Sequence, residues 1–364
     1  MMRLNLRRFD FVLLGATLVL LVFGIAMVYS ATQGVESYED YPLRQAIYGL
    51  IGLLLLLLIA AFDYRLLTSL QWPIYVGVLA ALGAVAVVGQ VRGGASGWFD
   101  AGIVFIQPAE FGKVLFIIVF AQYLASRHEQ IGKPQWVLGA LALMGLPAAL
   151  IYLQPDLGNA IVLLVIGALM LFVADLPWGY IAGAVAASVL ALPVIYANLE
   201  GYMKTRIDIF LDPASDPDAS FNIAQALISI GNGGVLGKGF GEGSQSQLHF
   251  LRVRYADFIF SVIAEELGFV GALFLIVLLV IVLWRLITIA DQARDQFGRL
   301  LVAGVIALIM FQAIVSIGMN LGLLPVTGIT LPFISYGGSS LLTLMIGLGL
   351  AQSVAMRNRK IEFD

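Results

Sequence analysis

The chain has 364 residues, of which 60% are hydrophobic and only 12% charged, and its formal net charge is -3. A soluble domain carries about 25% charged residues, so water is not the solvent for most of this chain, and a single polytopic membrane domain over residues 1–364 is expected. The absence of Cys excludes disulfides and thiolate metal sites, the two His argue against a His-ligated metal, and the charge balance gives no general attraction to nucleic acid.

In chain order, the apolar runs predict about ten transmembrane helices, near 11–31, 45–62, 73–91, 108–126, 136–153, 158–174, 178–197, 258–289, 300–320 and 335–356. The first run follows Arg3, Arg7 and Arg8 and is longer than a cleaved signal's apolar core, so it reads as a retained signal anchor. In this ten-span layout Arg65, Arg127, Lys133, Arg285, Arg294, Arg299, Arg357, Arg359 and Lys360 share one side with the N-terminal arginines. The short loops of the other side offer Arg44 and Arg92. The positive-inside bias then makes both termini cytoplasmic. The connection between the seventh and eighth spans, residues 198–257, falls on the extracytoplasmic face. A loop of about sixty residues far exceeds an ordinary connection and is usually functional or disordered. Phe221 to Ile230 alternates apolar and polar residues at helical spacing, which predicts a short amphipathic helix within it.

Five features stand out from the apolar background. Glu110 and Lys113 lie three apart on the fourth span and share a helix face, either as a self-neutralising pair between helices or as a substrate contact. Asp156, after Gln154 and Pro155, reads as a cap for the next helix. The run GNGGVLGKGFG from Gly231 lacks the spacing of a nucleotide-binding loop and reads more readily as a turn than as a phosphate nest around Lys238. Asp257 precedes the eighth span close to Arg252 and Arg254; it is either a helix cap or a general base beside a site for an anionic substrate. Ser261 and Glu265 follow it at i+4 and i+8 on the same helix face. The stretch from Gly318 through Pro325, Pro332, Ser335 and Tyr336 to Ser340 breaks the helix at membrane depth, which requires a protein-buried or wet polar cavity.

Taken together, GWFDAGIVFIQPAEFGK, LQPDLGNA, AQALISIGNGGVLGKGFG, ADFIFSVIAEELGFVG and NLGLLPVTGITLPFISYGGSS resemble, in order, the SEDS family (shape, elongation, division and sporulation). The short termini look more like its RodA branch than its FtsW branch. The resemblance implies a peptidoglycan glycosyltransferase polymerising lipid II at the outer face of the cytoplasmic membrane. It also implies a class B penicillin-binding protein as partner. The family's essential loop acid falls on Asp257, and its acid-base pair falls on Glu110 and Lys113 after Gln107, Pro108 and Ala109. The family's Phe-Leu-Pro-Glu before a Thr-Asp pair reads here Phe250-Leu251-Arg252-Val253 and then Ala256-Asp257. A second carboxylate and a rigid proline are therefore missing. On this reading Arg206, Lys238, Arg252 and Arg254 are candidates for diphosphate contact, with Asp156, Ser335 and Tyr336 around the cavity. The reading leaves room for a divalent cation, Mg or Mn, at the lipid diphosphate, although the sequence holds no dedicated ligand cluster for one. A flippase for the lipid-linked precursor and a noncatalytic cell-wall scaffold are the competing readings.

Overall fold

The computed structural model describes residues 8–92, 95–100, 105–199, 201–248, 250–251 and 253–358. Backbone groups in hydrocarbon must pair within the chain, and an apolar run meets that demand as a helix. The helices are α1 (Phe11–Thr32), α2 (Tyr41–Ala61), α3 (Gln71–Val88), α4 (Pro108–Ala125), α5 (Pro134–Tyr152), α6 (Leu157–Val173) and α7 (Trp178–Ala197). They continue with α8 (Gly201–Leu211), α9 (Pro217–Gly233), α10 (Ser244–Gln247), α11 (Ile259–Asp291), α12 (Gln296–Asn320) and α13 (Gly338–Met356). Among the described residues, 8 helices have the length and hydropathy of a membrane span, and the apolar α6 and α7 lie where the sequence places the sixth and seventh. The protein is an all-α, multi-pass membrane protein.

Three short strands add a feature the hydropathy pattern does not announce. β1 (Gln90–Arg92), β2 (Ala95–Asp100) and β3 (Phe105–Ile106) form an antiparallel sheet in that order between α3 and α4. The long connection is also more helical than expected. The amphipathic segment runs the full length of α9, and α8 precedes it.

α12 is the axis of the bundle, packing on α4, α6, α11 and α13, while α13 packs most extensively on α2. At Gly304 of α12 the backbone approaches Ile117 of α4 and Met170 of α6 closely enough that a methyl group would collide with both. One end of the bundle is tied by charge: Arg285 binds Asp10 at 2.6 Å, Tyr64 and Arg65 converge on Asp295, and Arg357 reaches Asp63 at 3.6 Å.

The opposite end is built around a break in α11. Gly268 has φ 66° and ψ -162°, which interrupts the helix at membrane depth. The glycine-rich run pairs the groups this break releases. Lys238 and Gly239 N–H donate to the carbonyls of Glu265 and Glu266, and Phe269 and Val270 N–H donate to those of Gly234 and Val235, at 2.9–3.1 Å. The Glu266 carboxylate accepts from Ser30 Oγ of α1 and from Gly241 N–H, and that of Glu265 accepts from Ser244 Oγ and Gln245 N–H. The run is thus an ordered brace. A Cβ on Gly268 would strike the backbone of Gly237 and Val235, whereas one on Gly234, at φ +56°, meets open space. Gly268→Ala therefore combines left-handed strain with a backbone collision and is expected to destabilise by about 3 kcal/mol or more. Gly234→Ala carries strain alone, about 1 kcal/mol. Thermal loss of monodisperse protein in detergent measures the difference.

Candidate functional site

Asp257 lies in the turn that leads into α11. Val253, in the left-handed region at φ 52°, closes this turn by accepting Ala256 and Asp257 N–H at 3.1 Å each. The N-cap of α11 is Phe258, and no side chain caps the helix locally. The Asp257 carboxylate is therefore not spent as a cap. It borders a cavity of about 310 Å³ whose wall also includes Gln107, Glu110, Asp156, Arg206 and Tyr336. Desolvation raises its pKa from 3.8 to about 6, and Arg206 of α8 partly opposes that shift.

The floor of the cavity is a connected polar network. Pro108 at the first turn of α4 starts the helix so that Glu110 and Lys113 share one face. Lys113, wholly buried, donates to Glu110 Oε1 at 2.6 Å and to Asn159 Oδ1 at 2.9 Å. Asn159 Nδ2 and Gln107 Nε2 both donate to Asp156 Oδ2, while Asp156 Oδ1 caps α6 by accepting Asn159 N–H. Asp156 is thus the expected cap and a cavity residue at once. Glu110 lines the cavity; its Oε1 neutralises Lys113, and its Oε2 is buried with no hydrogen-bond partner.

The broken segment between α12 and α13 forms another wall, through Pro325, Thr327, Gly328, Thr330 and Gly337, with Ser339 and Ser340 from the start of α13. Tyr336 lines the cavity and stacks on Tyr41 at 4.1 Å, within a cluster that includes Tyr38 and Tyr255. Burial, with Tyr48 and Tyr41 close by, pushes the Tyr336 hydroxyl up to about 12, so it remains a hydrogen-bond donor.

Three expected site residues stand elsewhere. Lys238 is exposed outside the cavity lining, and its backbone N–H is committed to Glu265. Arg254 is buried and donates to the Ala31 carbonyl of α1, and desolvation lowers its pKa. Ser335 donates to the Ala256 carbonyl at 2.7 Å and so holds the Asp257 turn from behind. Ser261 and Glu265, expected to share a helix face with Asp257, are on α11 while Asp257 is in the turn before it, and they are likewise turned to other partners. Arg252 lies outside the described residues. Asn159, Thr327, Thr330, Ser339 and Ser340 are site residues that motif reading did not single out, although all lie within the quoted segments. Among the described residues no three His, Cys, Asp or Glu are grouped to hold a metal ion.

Because Lys113 and Glu110 are buried together, removing one leaves the other uncompensated. Lys113→Met or Glu110→Gln alone is expected to cost about 3–5 kcal/mol, and the double substitution far less. Thermal unfolding of the three variants in detergent measures the coupling, and retained polymer synthesis by the stable double variant would assign the pair a purely structural role.

A protein-family profile described as "Cell cycle protein", FTSW_RODA_SPOVE, matches residues 11–360. The peptidoglycan glycosyltransferase MrdB of Escherichia coli (strain K12) is 36% identical over 343 residues, covering 93% of this chain and 90% of MrdB. A chain from the structure described as "Structural coordination of polymerization and crosslinking by a peptidoglycan synthase complex" superposes with a TM-score of 0.83 at 33% identity, over 95% of this chain and 97% of that one. The crystal structure of the Thermus thermophilus rod shape determining protein RodA superposes with a TM-score of 0.74 at 30% identity, over 97% of this chain and 98% of that one. With the ordered motifs, the multi-pass helical bundle and these matches in agreement along nearly the whole length, the chain belongs to the FtsW/RodA/SpoVE (SEDS) family.

Proposed function

We propose that this chain is a peptidoglycan glycosyltransferase that polymerises lipid II into glycan strands during cell elongation and shape maintenance. It works in the bacterial cytoplasmic membrane as a ten-span protein with both termini cytoplasmic, so that the cavity opens outward. The observation that carries this reading is Asp257: a desolvated carboxylate with a pKa raised to about 6, facing a polar cavity that it shares with Arg206. A base is most effective when its pKa lies near the working pH.

The chemistry uses one carboxylate. A hydroxyl of the acceptor sugar attacks the anomeric carbon of the donor, and Asp257 takes the hydroxyl proton as the new C–O bond forms. The bond from that carbon to the diphosphate oxygen breaks on the opposite face, inverting the linkage and releasing polyprenyl diphosphate. Negative charge then gathers on the leaving group, where a fixed cation stabilises it. Arg206, which among the described residues is the expected cation that lines the cavity, takes that role. The cavity-lining Thr330, Ser339 and Ser340 supply hydroxyl partners for sugar hydroxyl and amide groups. A divalent cation, Mg or Mn, at the diphosphate is part of the proposal. Mg ordinarily keeps water and phosphate oxygens with at most one or two carboxylates, so the diphosphate itself would supply its main ligands and Asp257 stays free to act as the base. The partner is a class B penicillin-binding protein that crosslinks the new strands.

With purified protein, its partner and lipid II, Asp257→Ala and Asp257→Asn are expected to lower polymer synthesis by about 10²–10⁴-fold. The base must be ionised, so kcat/KM should rise about tenfold per pH unit up to about 6 and level above it. Undiminished synthesis by Asp257→Asn would remove the base assignment. Lipid II translocation by the unaltered protein, without polymer under varied metal conditions, would favour a flippase.

The same carboxyl also affects stability. Folding favours its protonated form, so its contribution is greatest below pH 3.8 and is lost as pH rises through about 6. Asp257→Asn should therefore gain stability over the unaltered chain as pH rises from 4 to 6, on the order of 1–2 kcal/mol once discounted for partial exposure to water. Unfolding midpoints across that range measure it.

A further inference from the structure

The Asp257 turn is held from outside its own helix. The Phe258 carbonyl accepts Ser261 and Val262 N–H at 3.1 and 3.3 Å, but at the N-cap of α11 Phe258 has no capping side chain. Asn320, at the far end of α12, supplies one across the bundle: its Oδ1 accepts Ser261 N–H at 3.1 Å and Ser261 Oγ at 2.7 Å. Its Nδ2 donates to the carbonyl of Asp257 and to that of Ser316, at 2.8 Å each. Both amide hydrogens and both lone pairs of the carbonyl oxygen are thereby used, on a side chain with no exposed surface. Two further groups act beside it. Ser335 Oγ donates to the Ala256 carbonyl at 2.7 Å while accepting Leu331 N–H, and Tyr336 N–H donates to the Tyr255 carbonyl at 2.9 Å.

Three successive carbonyls, 255, 256 and 257, are thus gripped by three groups from the end of α12 and the segment before α13. With its carbonyls drawn to that side, the turn leaves the Asp257 side chain on the cavity wall. A carboxylate on so short a side chain goes where its peptide points it. A misplacement of about 1 Å at a reacting group costs about 10²-fold in rate.

We infer that Asn320, assisted by Ser335, is a positioning residue for Asp257, setting the direction of the carboxylate toward the acceptor hydroxyl without touching substrate. The inference rests on the reading of Asp257 as the base. Purified variants with the partner protein and lipid II test it. Asn320→Ala is expected to lower kcat about 10²-fold with KM within about threefold of the unaltered protein. Ser261→Ala, which removes one bond to Asn320 but leaves the Asp257 carbonyl held, should keep kcat within about twofold, marking the effect as more than loss of a helix cap. Adding Asn320→Ala to Asp257→Asn should produce no further loss, because the two act through one group.

An unchanged kcat in Asn320→Ala, or a loss confined to KM, overturns the inference. So does a Ser261→Ala defect as deep as that of Asn320→Ala. If Asn320→Ala does not survive purification, Ser335→Ala decides: a fall in kcat of about tenfold at constant KM supports the inference, and an unchanged kcat overturns it. Asp257→Asn run alongside separates the two levels. Full activity there removes the base reading itself, whereas an inactive Asp257→Asn beside an unaffected Asn320→Ala removes only the positioning.

Discussion

A backbone group without a hydrogen bond costs several kcal/mol in hydrocarbon, and the functional end of this protein is organised by that constraint. Two of its spans are broken there, one at Gly268 within α11 and one between α12 and α13. Each break frees backbone groups, and partners for them come from elsewhere in the chain. The glycine-rich run from Gly231 answers the first through four backbone hydrogen bonds, which explains its composition better than anion binding does. Its Lys238 and Gly239 amides are already committed to carbonyls, and its Gly241 amide binds the carboxylate of Glu266 of the protein itself.

Electrostatics at this end follow from the same shortage of water. Lys113 tolerates complete burial because Glu110 and Asn159 surround its ammonium group, and the chain of contacts runs on through Asp156 to Gln107. Asp257 has no such neighbour at hydrogen-bonding distance among the described residues. Its carboxyl is left with a raised pKa that Arg206 only partly opposes. Within a single cavity one acidic group is thus paired with a buried lysine while another is not.

Much of this was legible in the sequence, for identifiable reasons. α4 begins where Pro108 allows it to and carries Glu110 and Lys113 on one face, as the i, i+3 spacing requires. The cavity wall at Pro325 to Tyr336 followed from prolines and glycines at membrane depth. What escaped was whatever depended on register or on partners distant in sequence. α8 has the mixed composition YMKTRIDIFL and no strong amphipathic signal, yet it carries Arg206 to the cavity. The sheet β1–β3 is too short for its alternation to be read. Asn320 looks like any asparagine at a helix end, and only its distance to Asp257, 63 residues earlier, distinguishes it. For Arg254 the reverse holds: its charge was visible in the sequence, but the Ala31 carbonyl that engages it away from the cavity lining was not.

The break at Gly268 and the position of Asp257 are two aspects of one device. Residues 259–267 form a short helical stub, set off by the break at Gly268 from the longer part of α11 and braced to it by the glycine-rich run. The stub is fixed on several sides: by Asn320 to α12, by Glu266 and Ser30 to α1, and by Glu265 to the α10 segment. A carboxylate at the end of one continuous helix of 33 residues would follow every tilt that lipid or a docked partner imposed on it. At the break, hydrogen bonds from other elements hold the stub and the turn ahead of it. Asp257 therefore takes its position from the protein's polar end rather than from the membrane.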